Sequence, residues 1–348
     1  MRIHLGHHFY GAGNLGDDFM LAGFLAAMRA HAPDATFTSC VPFAIEPLQR
    51  RFPSVTWLPY DERERARCIA ECDAWLGLGG SPFQLDLSRW FVDHLVAEAQ
   101  FCHDAGKPMY FLGVGVQSLT ELSDLEVRRL CTHAAGIWTR DEASAVRLRS
   151  LPSPPPIRTA ADMAHIFFRD CPPPVAQLRR LTFVANFNYA TWPGQTACLD
   201  ALRHLPATER IWLVQESRQL PGAEREMHGN LPPIEQARWS LFNPERPGTE
   251  LKEVLSRWPS GEWLVTARYH AAIAGAWAGS KIVVLSTNEK LRAAAHALHT
   301  PLLATVASEA AVTRALAAAK PSTPPIALAE RAHAACGEFV RSAVAHRR

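Results

Sequence analysis

His7-His8-Phe9-Tyr10-Gly11-Ala12-Gly13-Asn14-Leu15-Gly16-Asp17-Asp18 carries a short apolar strand into a helix through a glycine-rich turn. The strand is Ile3-His4-Leu5, and the helix is expected over 18–31, where Met20, Leu21, Phe24, Leu25 and Met28 recur at helical spacing. Glycines at 11, 13 and 16 admit left-handed backbone and close approach, and a helix start offers N–H groups to phosphate or carboxylate. Asp17 or Asp18 is placed to cap that helix. A strand, a glycine turn and a helix in this order open a parallel α/β domain.

The same glycines fit the dinucleotide pattern G-x-G-x-x-G, which by itself is weak. A nicotinamide site also needs an acidic residue about 20 positions further on, after the second strand. Asp34 instead precedes the candidate second strand, Thr36 to Val41. Asn14 and the acidic pair are left unexplained by that reading.

Outward from this turn, strands and helices alternate. Helices are expected at 44–51, 62–71, 88–105 and 123–134, and strands near 55–58, 74–78, 108–114, 136–139 and 157–159. Alternation of this kind argues a parallel sheet covered on both faces. Cys171-Pro172-Pro173-Pro174 holds the backbone extended and reads as the start of a linker. The pattern restarts at Leu181 to Phe187, with further strands near 211–215, 263–266 and 282–286 and helices at 194–204, 249–257, 270–278 and 288–297. The expected organisation is an N-terminal Rossmann-like domain over 1–170, a proline-rich linker over 171–178, a C-terminal Rossmann-like domain over 179–325 and a terminal helix over 326–348 that crosses back to the first domain.

A chain of 348 residues exceeds the usual single core, and 48% hydrophobic residues fill two. A formal charge of +2 gives no general attraction to nucleic acid. No apolar run reaches the ~20 residues of a membrane span and no signal-peptide pattern opens the sequence, so a cytoplasmic location is expected. The eight cysteines show no paired Cys-x-x-Cys motifs and read as reduced thiols. Cys68 and Cys72, four apart, are too few for a metal centre, and no Asp-x-Asp motif stands out, so no metal is expected.

Gly11-x-x-Asn14-x-Gly16-Asp17-Asp18 resembles the N-terminal motif of the polysaccharide pyruvyl transferase family, with Asp18 where members usually carry Glu. Further segments resemble the family in the same order: Gly77-Leu78-Gly79-Gly80-Ser81; Gly113-Val114-Gly115-Val116 with Arg140-Asp141-Glu142-Ala143-Ser144; and Arg268-Tyr269-His270 with Lys290 downstream. Tyr269 stands where an aliphatic residue is common, a second departure. The likeness spans residues 3 to 300. It implies a GT-B-like architecture, two doubly wound Rossmann-like domains facing a cleft. It also implies a transferase that moves the enolpyruvyl-derived group of phosphoenolpyruvate onto a sugar as a pyruvate ketal, in cell-envelope or exopolysaccharide biosynthesis.

The residues suit such a donor. Phosphoenolpyruvate carries a carboxylate and a phosphate and calls for cationic forks and N–H cradles rather than a redox cofactor. Arg268 and Arg140 are the candidate forks, Lys290 a third cation and His270 the proton-transfer group. Gly11, Asn14, Gly16, Asp17, Asp18, Gly79, Gly80, Ser81 and Gln117 are the candidate acceptor or anion-binding loops. Asp141 is also placed to cap a helix, and Asp162 resembles the family's aspartate that orients loops. His7 or His8, and the rings of Tyr189, Trp192, Trp239 and Trp277, are candidates to meet a sugar. The expected partners are the small-molecule donor and a sugar or glycolipid acceptor, the latter leaving room for a peripheral membrane contact. The residues alone leave two other readings open: a GT-B-like glycosyltransferase using a nucleotide sugar, and a non-catalytic carbohydrate-binding relative.

Overall fold

The computed structural model describes residues 1–6, 9–83, 89–116, 128–185, 195–218, 222–245, 249–286, 288–304 and 307–346. Met1–Ala12, Asp17–Phe167 and Ile326–Arg348 form one compact unit, and Gly13–Gly16 with Phe168–Pro325 a second. Each is built on a parallel sheet.

In the first unit the strands are β1 (Arg2–Leu5), β2 (Thr36–Val41), β3 (Val55–Pro59), β4 (Ala74–Leu78), β5 (Met109–Val114), β6 (Ala134–Thr139) and β7 (Ile157–Thr159). They lie in the order β3-β2-β1-β4-β5-β6-β7, every pair parallel. The chain winds outward from β1, returns, and winds the other way from β4. The crevice outside the carboxyl ends of β1 and β4 is therefore the topological switch point, where open α/β sheets bind ligands. Ala74 to Leu78 and Met109 to Val114 are buried throughout, as strands covered on both faces must be.

The helix Ile326–Ala345 completes this unit. Phe339, fully buried, sits edge-on to Tyr110 at 5.4 Å and to Trp138 at 6.3 Å and tilts against Phe24 at 6.5 Å. Trp138 Nε1 donates to Glu338 at 2.8 Å, so the indole is buried without losing its hydrogen bond.

The second sheet contains β8 (Gln177–Val184), β9 (Glu209–Leu213), β10 (Ser240–Phe242), β11 (Gly261–Thr266), β12 (Lys281–Ser286) and β13 (Leu302–Ala304) in the order β10-β9-β8-β11-β12-β13, again parallel. Its switch point lies between β8 and β11. Phe183, Trp212 and Trp239 form the aromatic centre of its core, with ring centroids 4.8 to 5.7 Å apart.

Several boundaries differ from those read in the sequence. The first helix begins at Leu15, so Asp17 and Asp18 lie inside its first turn. β8 begins at Gln177, within the stretch read as linker, and its exposed start is kinked at Arg179, whose φ is +59°. Gln177, Leu178 and Arg179 are exposed in turn, so neither face of the strand's start is marked by burial. β10 and β13 were not expected, nor were the helices Ala164–Asp170, Glu224–Gly229, Pro233–Gln236 and Glu309–Ala318. Of the helix expected at 123–134, residues 123–127 lie outside the described residues, 128–133 are helical, and Ala134 already belongs to β6. Among the described residues no helix is long and apolar enough to cross a membrane.

Candidate functional site

In the first unit the loop after β1 is closed on itself. Gly11 adopts φ +69° and donates its N–H to Asp18 Oδ1 at 2.7 Å. Asp18, fully buried, meets Arg51 with its other oxygen at 2.5 Å. Asp18 thus holds the turn to the helix Ile45–Arg51. This differs from the expectation of an open anion cradle: the donor at Gly11 already has a carboxylate. Asp17 is half-buried in the first turn.

The turns after β4, β5 and β6 meet around Arg140. Gly79 and Gly80 take φ +68° and +70°, the left-handed backbone that favours glycine. The Gly80 carbonyl accepts from Gly115 N–H at 2.9 Å and from Arg140 Nη1 at 3.2 Å, while Arg140 Nη2 donates to Ser81 Oγ at 3.1 Å. Arg140 also lies 3.5 Å from Asp141, which caps the helix Glu142–Arg149 through Ser144 N–H. The Arg140 side chain is only 1% exposed, so it props the Gly79–Ser81 turn from within instead of presenting a fork to solvent. Asp162, likewise buried, accepts from Ala164 N–H at 3.0 Å at the head of the helix Ala164–Asp170.

A Cβ on Gly115 would fall 2.3 Å from Arg140 Nη2. Gly115→Ala is therefore expected to displace the guanidinium and lower stability by about 1–3 kcal/mol, read as a lower urea midpoint at unchanged slope. A neutral result would show that Arg140 is not fixed there.

In the second unit the residues Gly13–Gly16 lie against Gln215–Ser217. Asn14 and Glu216 form an antiparallel bridge, Leu15 N–H donates to the Gln215 carbonyl at 3.3 Å, and Ser217 N–H donates to the Gly13 carbonyl at 2.8 Å. Asn14 Oδ1 accepts from Gly16 N–H at 3.1 Å. The donors at 15 and 16 are thereby engaged by protein groups, and the glycines serve close packing. A Cβ on Gly16 would lie 2.0 Å from His270 Nδ1.

Arg268-Tyr269-His270 follows β11 at its carboxyl end. Thr266 Oγ1 accepts from Arg268 N–H at 2.8 Å and donates to the Arg268 carbonyl at 3.2 Å, which fixes the turn. The helix Tyr269–Ala278 is buried at every residue, because its alanines and Gly275 let it pack closely on the sheet. Arg268 Nε donates to Glu224 at 2.6 Å and Nη2 at 3.4 Å, with Glu216 3.9 Å from Nη2. Among the described residues nothing accepts from Nη1, and the side chain is 13% exposed. Glu216 in turn takes a bidentate pair from Arg218, at 2.8 Å to each oxygen. Burial pushes the Glu224 carboxyl above the usual range, against the pull of Arg268. His270 is 3% exposed, its ring 5.3 Å from that of Tyr269, and Lys290 Nζ stands 5.4 Å from the Tyr269 ring centroid.

The second unit therefore gathers Arg268, His270, Lys290, Asn14 and Gly16, and the first gathers Gly80, Ser81 and Arg140. Glu216 and Glu224 were missed in the sequence. Gln215-Glu216-Ser217-Arg218, a polar run directly after the apolar end of β9, was the available signal for the first. Trp239 is buried in the core and Trp277 is 7% exposed, which withdraws both rings from a sugar. Gln117, His7, His8, Tyr189 and Trp192 lie outside the described residues.

The model of one family, polysaccharide pyruvyl transferase, matches residues 14–288. No curated protein matches. Among solved structures, UDP-GlcNAc 2-epimerase from Neisseria meningitidis bound to UDP-GlcNAc is similar at TM-score 0.65 and 11% identity, over 98% of this chain and 100% of that one. HepE from Anabaena in complex with UDP-glucose is similar at TM-score 0.63 and 11% identity, over 99% of each. The UDP-GlcNAc 2-epimerase from Methanocaldococcus jannaschii gives 0.60 at 10% identity, over 98% of each. At such identity the likeness concerns the fold: two parallel-sheet α/β units of the GT-B type.

Proposed function

Because the chain belongs to the polysaccharide pyruvyl transferase family, we propose that it transfers the pyruvyl group of phosphoenolpyruvate to a sugar as a ketal, in the building of cell-envelope or exopolysaccharide material in the cytoplasm. The observation that carries this reading is Arg268. A largely covered guanidinium anchored on one side by Glu224, whose Nη1 meets no acceptor among the described residues, is a preorganised fork for an incoming carboxylate or phosphate. Lys290, held over Tyr269, adds a second positive charge, and His270 follows in the same turn.

The chemistry needs a proton at C3 of phosphoenolpyruvate, which leaves positive character at C2. His270 is assigned that proton transfer. One sugar hydroxyl adds to C2 and loses its proton. The C2–O bond to phosphate then breaks, Arg268 and Lys290 taking up the phosphate's charge, and the second hydroxyl adds to C2 and closes the ring. Of the two hydroxyl protons, one makes good the proton given to C3 and one leaves with phosphate. In the first unit Arg140 fixes the Gly79–Ser81 turn through the Gly80 carbonyl and Ser81 hydroxyl.

Phosphoenolpyruvate at about a hundred times its Kd is expected to stabilise the native chain by about 2.7 kcal/mol. The measurement is thermal unfolding with phosphoenolpyruvate, pyruvate, phosphate and UDP in parallel. His270→Gln should keep the phosphoenolpyruvate shift and lose phosphate release, and Lys290→Ala should shrink the shift. A shift with UDP and none with phosphoenolpyruvate would overturn the reading in favour of a nucleotide-sugar transferase.

A further inference from the structure

The Gly79–Ser81 turn follows β4 at the switch point of the first sheet, and its hydrogen bonding is one-sided. Gly79 N–H is spent on the Leu112 carbonyl at 2.8 Å. The next two N–H groups, of Gly80 and Ser81, meet no acceptor among the described residues, and both residues are half-buried and so reached by solvent. The oxygens of the turn are already served: the Gly80 carbonyl by Gly115 and Arg140, and Ser81 Oγ by Arg140 Nη2 at 3.1 Å. With its oxygen accepting from the guanidinium, the Ser81 hydroxyl still has a proton to give, and none of the described residues receives it. The buried charge of Arg140 adjoins the turn, while its carboxylate neighbour Asp141, 3.5 Å away, is engaged in capping through Ser144 N–H.

A sugar hydroxyl both gives and accepts a hydrogen bond, so a turn that offers donors alone serves it by half. A phosphate oxygen only accepts, and it carries the charge that Arg140 favours. Successive N–H groups at a turn suit such an anion. We propose that the Gly80 and Ser81 N–H groups and the Ser81 hydroxyl bind a phosphate of the acceptor, whose sugar is therefore carried on a phosphate ester. This rests on the pyruvyl-transfer reading, in which Arg268 and Lys290 of the second unit take the anions of phosphoenolpyruvate and leave this site to the other substrate. The carrier is a nucleoside diphosphate or a polyprenyl diphosphate, and the turn reads the group that the two share.

The test titrates the whole chain calorimetrically with pyrophosphate, UDP and farnesyl diphosphate, phosphoenolpyruvate being present throughout to fill the Arg268 site. Ser81→Ala removes one donor. Ser81→Asp sets a carboxylate beside Arg140, which supplies a charged partner for folding and fills the turn with an anion of its own. Pyrophosphate should bind the wild type, weaken about tenfold or more in Ser81→Ala and be lost in Ser81→Asp, with the phosphoenolpyruvate thermal shift unchanged in both. Tighter binding of UDP than of pyrophosphate assigns the carrier to a nucleotide, and tighter binding of farnesyl diphosphate to a polyprenyl chain. A wild type that binds no pyrophosphate, or equal binding by both variants, overturns the proposal. So does loss of the phosphoenolpyruvate shift in Ser81→Asp, which would seat the donor on this turn. Ser81-dependent pyrophosphate binding in a protein that shows no phosphoenolpyruvate shift would leave the anion site standing and remove the pyruvyl-transfer reading, and with it the assignment to an acceptor.

Discussion

Replacing Arg268 with alanine is expected to abolish phosphate release and to lower stability by about 3–5 kcal/mol, the cost of stranding one member of a buried ion pair. The stranded member is Glu224, fully buried and bonded through Arg268 Nε at 2.6 Å. The sign of the pH dependence follows from that burial. The Glu224 carboxyl already titrates above the ordinary range in the folded chain, and losing Arg268 pushes it higher. A carboxyl raised on folding favours the native state below its unfolded pKa of about 4.3 and loses that favour as pH rises through the folded value. The Arg268→Ala defect should therefore be larger at pH 8 than at pH 5 in urea unfolding. The paired variant Arg268→Met with Glu224→Gln should regain most of the stability and none of the turnover. An equal defect at both pH values would mean that Glu224 is not held by this arginine. Arg268→Lys keeps the charge but not the planar fork, and cannot engage Glu224 and a substrate anion together.

Gly16→Ala is the second large effect. Gly16 lies in the first turn of the helix Leu15–His31 with no left-handed φ, so alanine suits its backbone and is favoured there by about 1 kcal/mol. The obstacle is the His270 ring, whose Nδ1, Cγ and Cε1 would lie 2.0, 2.7 and 2.8 Å from the new methyl carbon. Displacing that buried ring is expected to lower stability by about 1–3 kcal/mol while turnover falls about 10²- to 10⁴-fold, the range for losing a positioned proton-transfer group. Steady-state phosphate release reads the second, and the His270 imidazole NMR signals read the displacement. Turnover equal to wild type would place His270 away from the chemistry.

Much of this was legible locally. Ala74 to Leu78 and Thr36 to Val41 were read to the residue, because buried parallel strands are short apolar runs bounded by turns. Arg268-Tyr269-His270 was legible as a site because it falls between such a run and a helix. The partners of Arg268 were not: Glu224 is 44 positions away, and an ion pair at that separation leaves no periodicity to read. The start of β8 was hidden because its first three residues are exposed on both faces and follow prolines that by themselves describe a linker. The edge strands β10 and β13, three residues each, are too short to show a period. The acidic residues of the first loop were legible as important but not in kind, since Asp18 serves its own turn through Gly11.

The aromatic seat of Phe339 has a consequence for the order of synthesis. Most of the first unit precedes the second in the chain, yet the helix that brings Phe339 to Phe24, Tyr110 and Trp138 is made only after the second unit. At about 5–20 residues per second, the stretch between Phe167 and Ile326 takes roughly 10–30 s to appear. Through that interval the nascent first unit carries an unfilled aromatic groove, a natural client surface for a holding chaperone, and a ribosome stalled before Ile326 leaves it open.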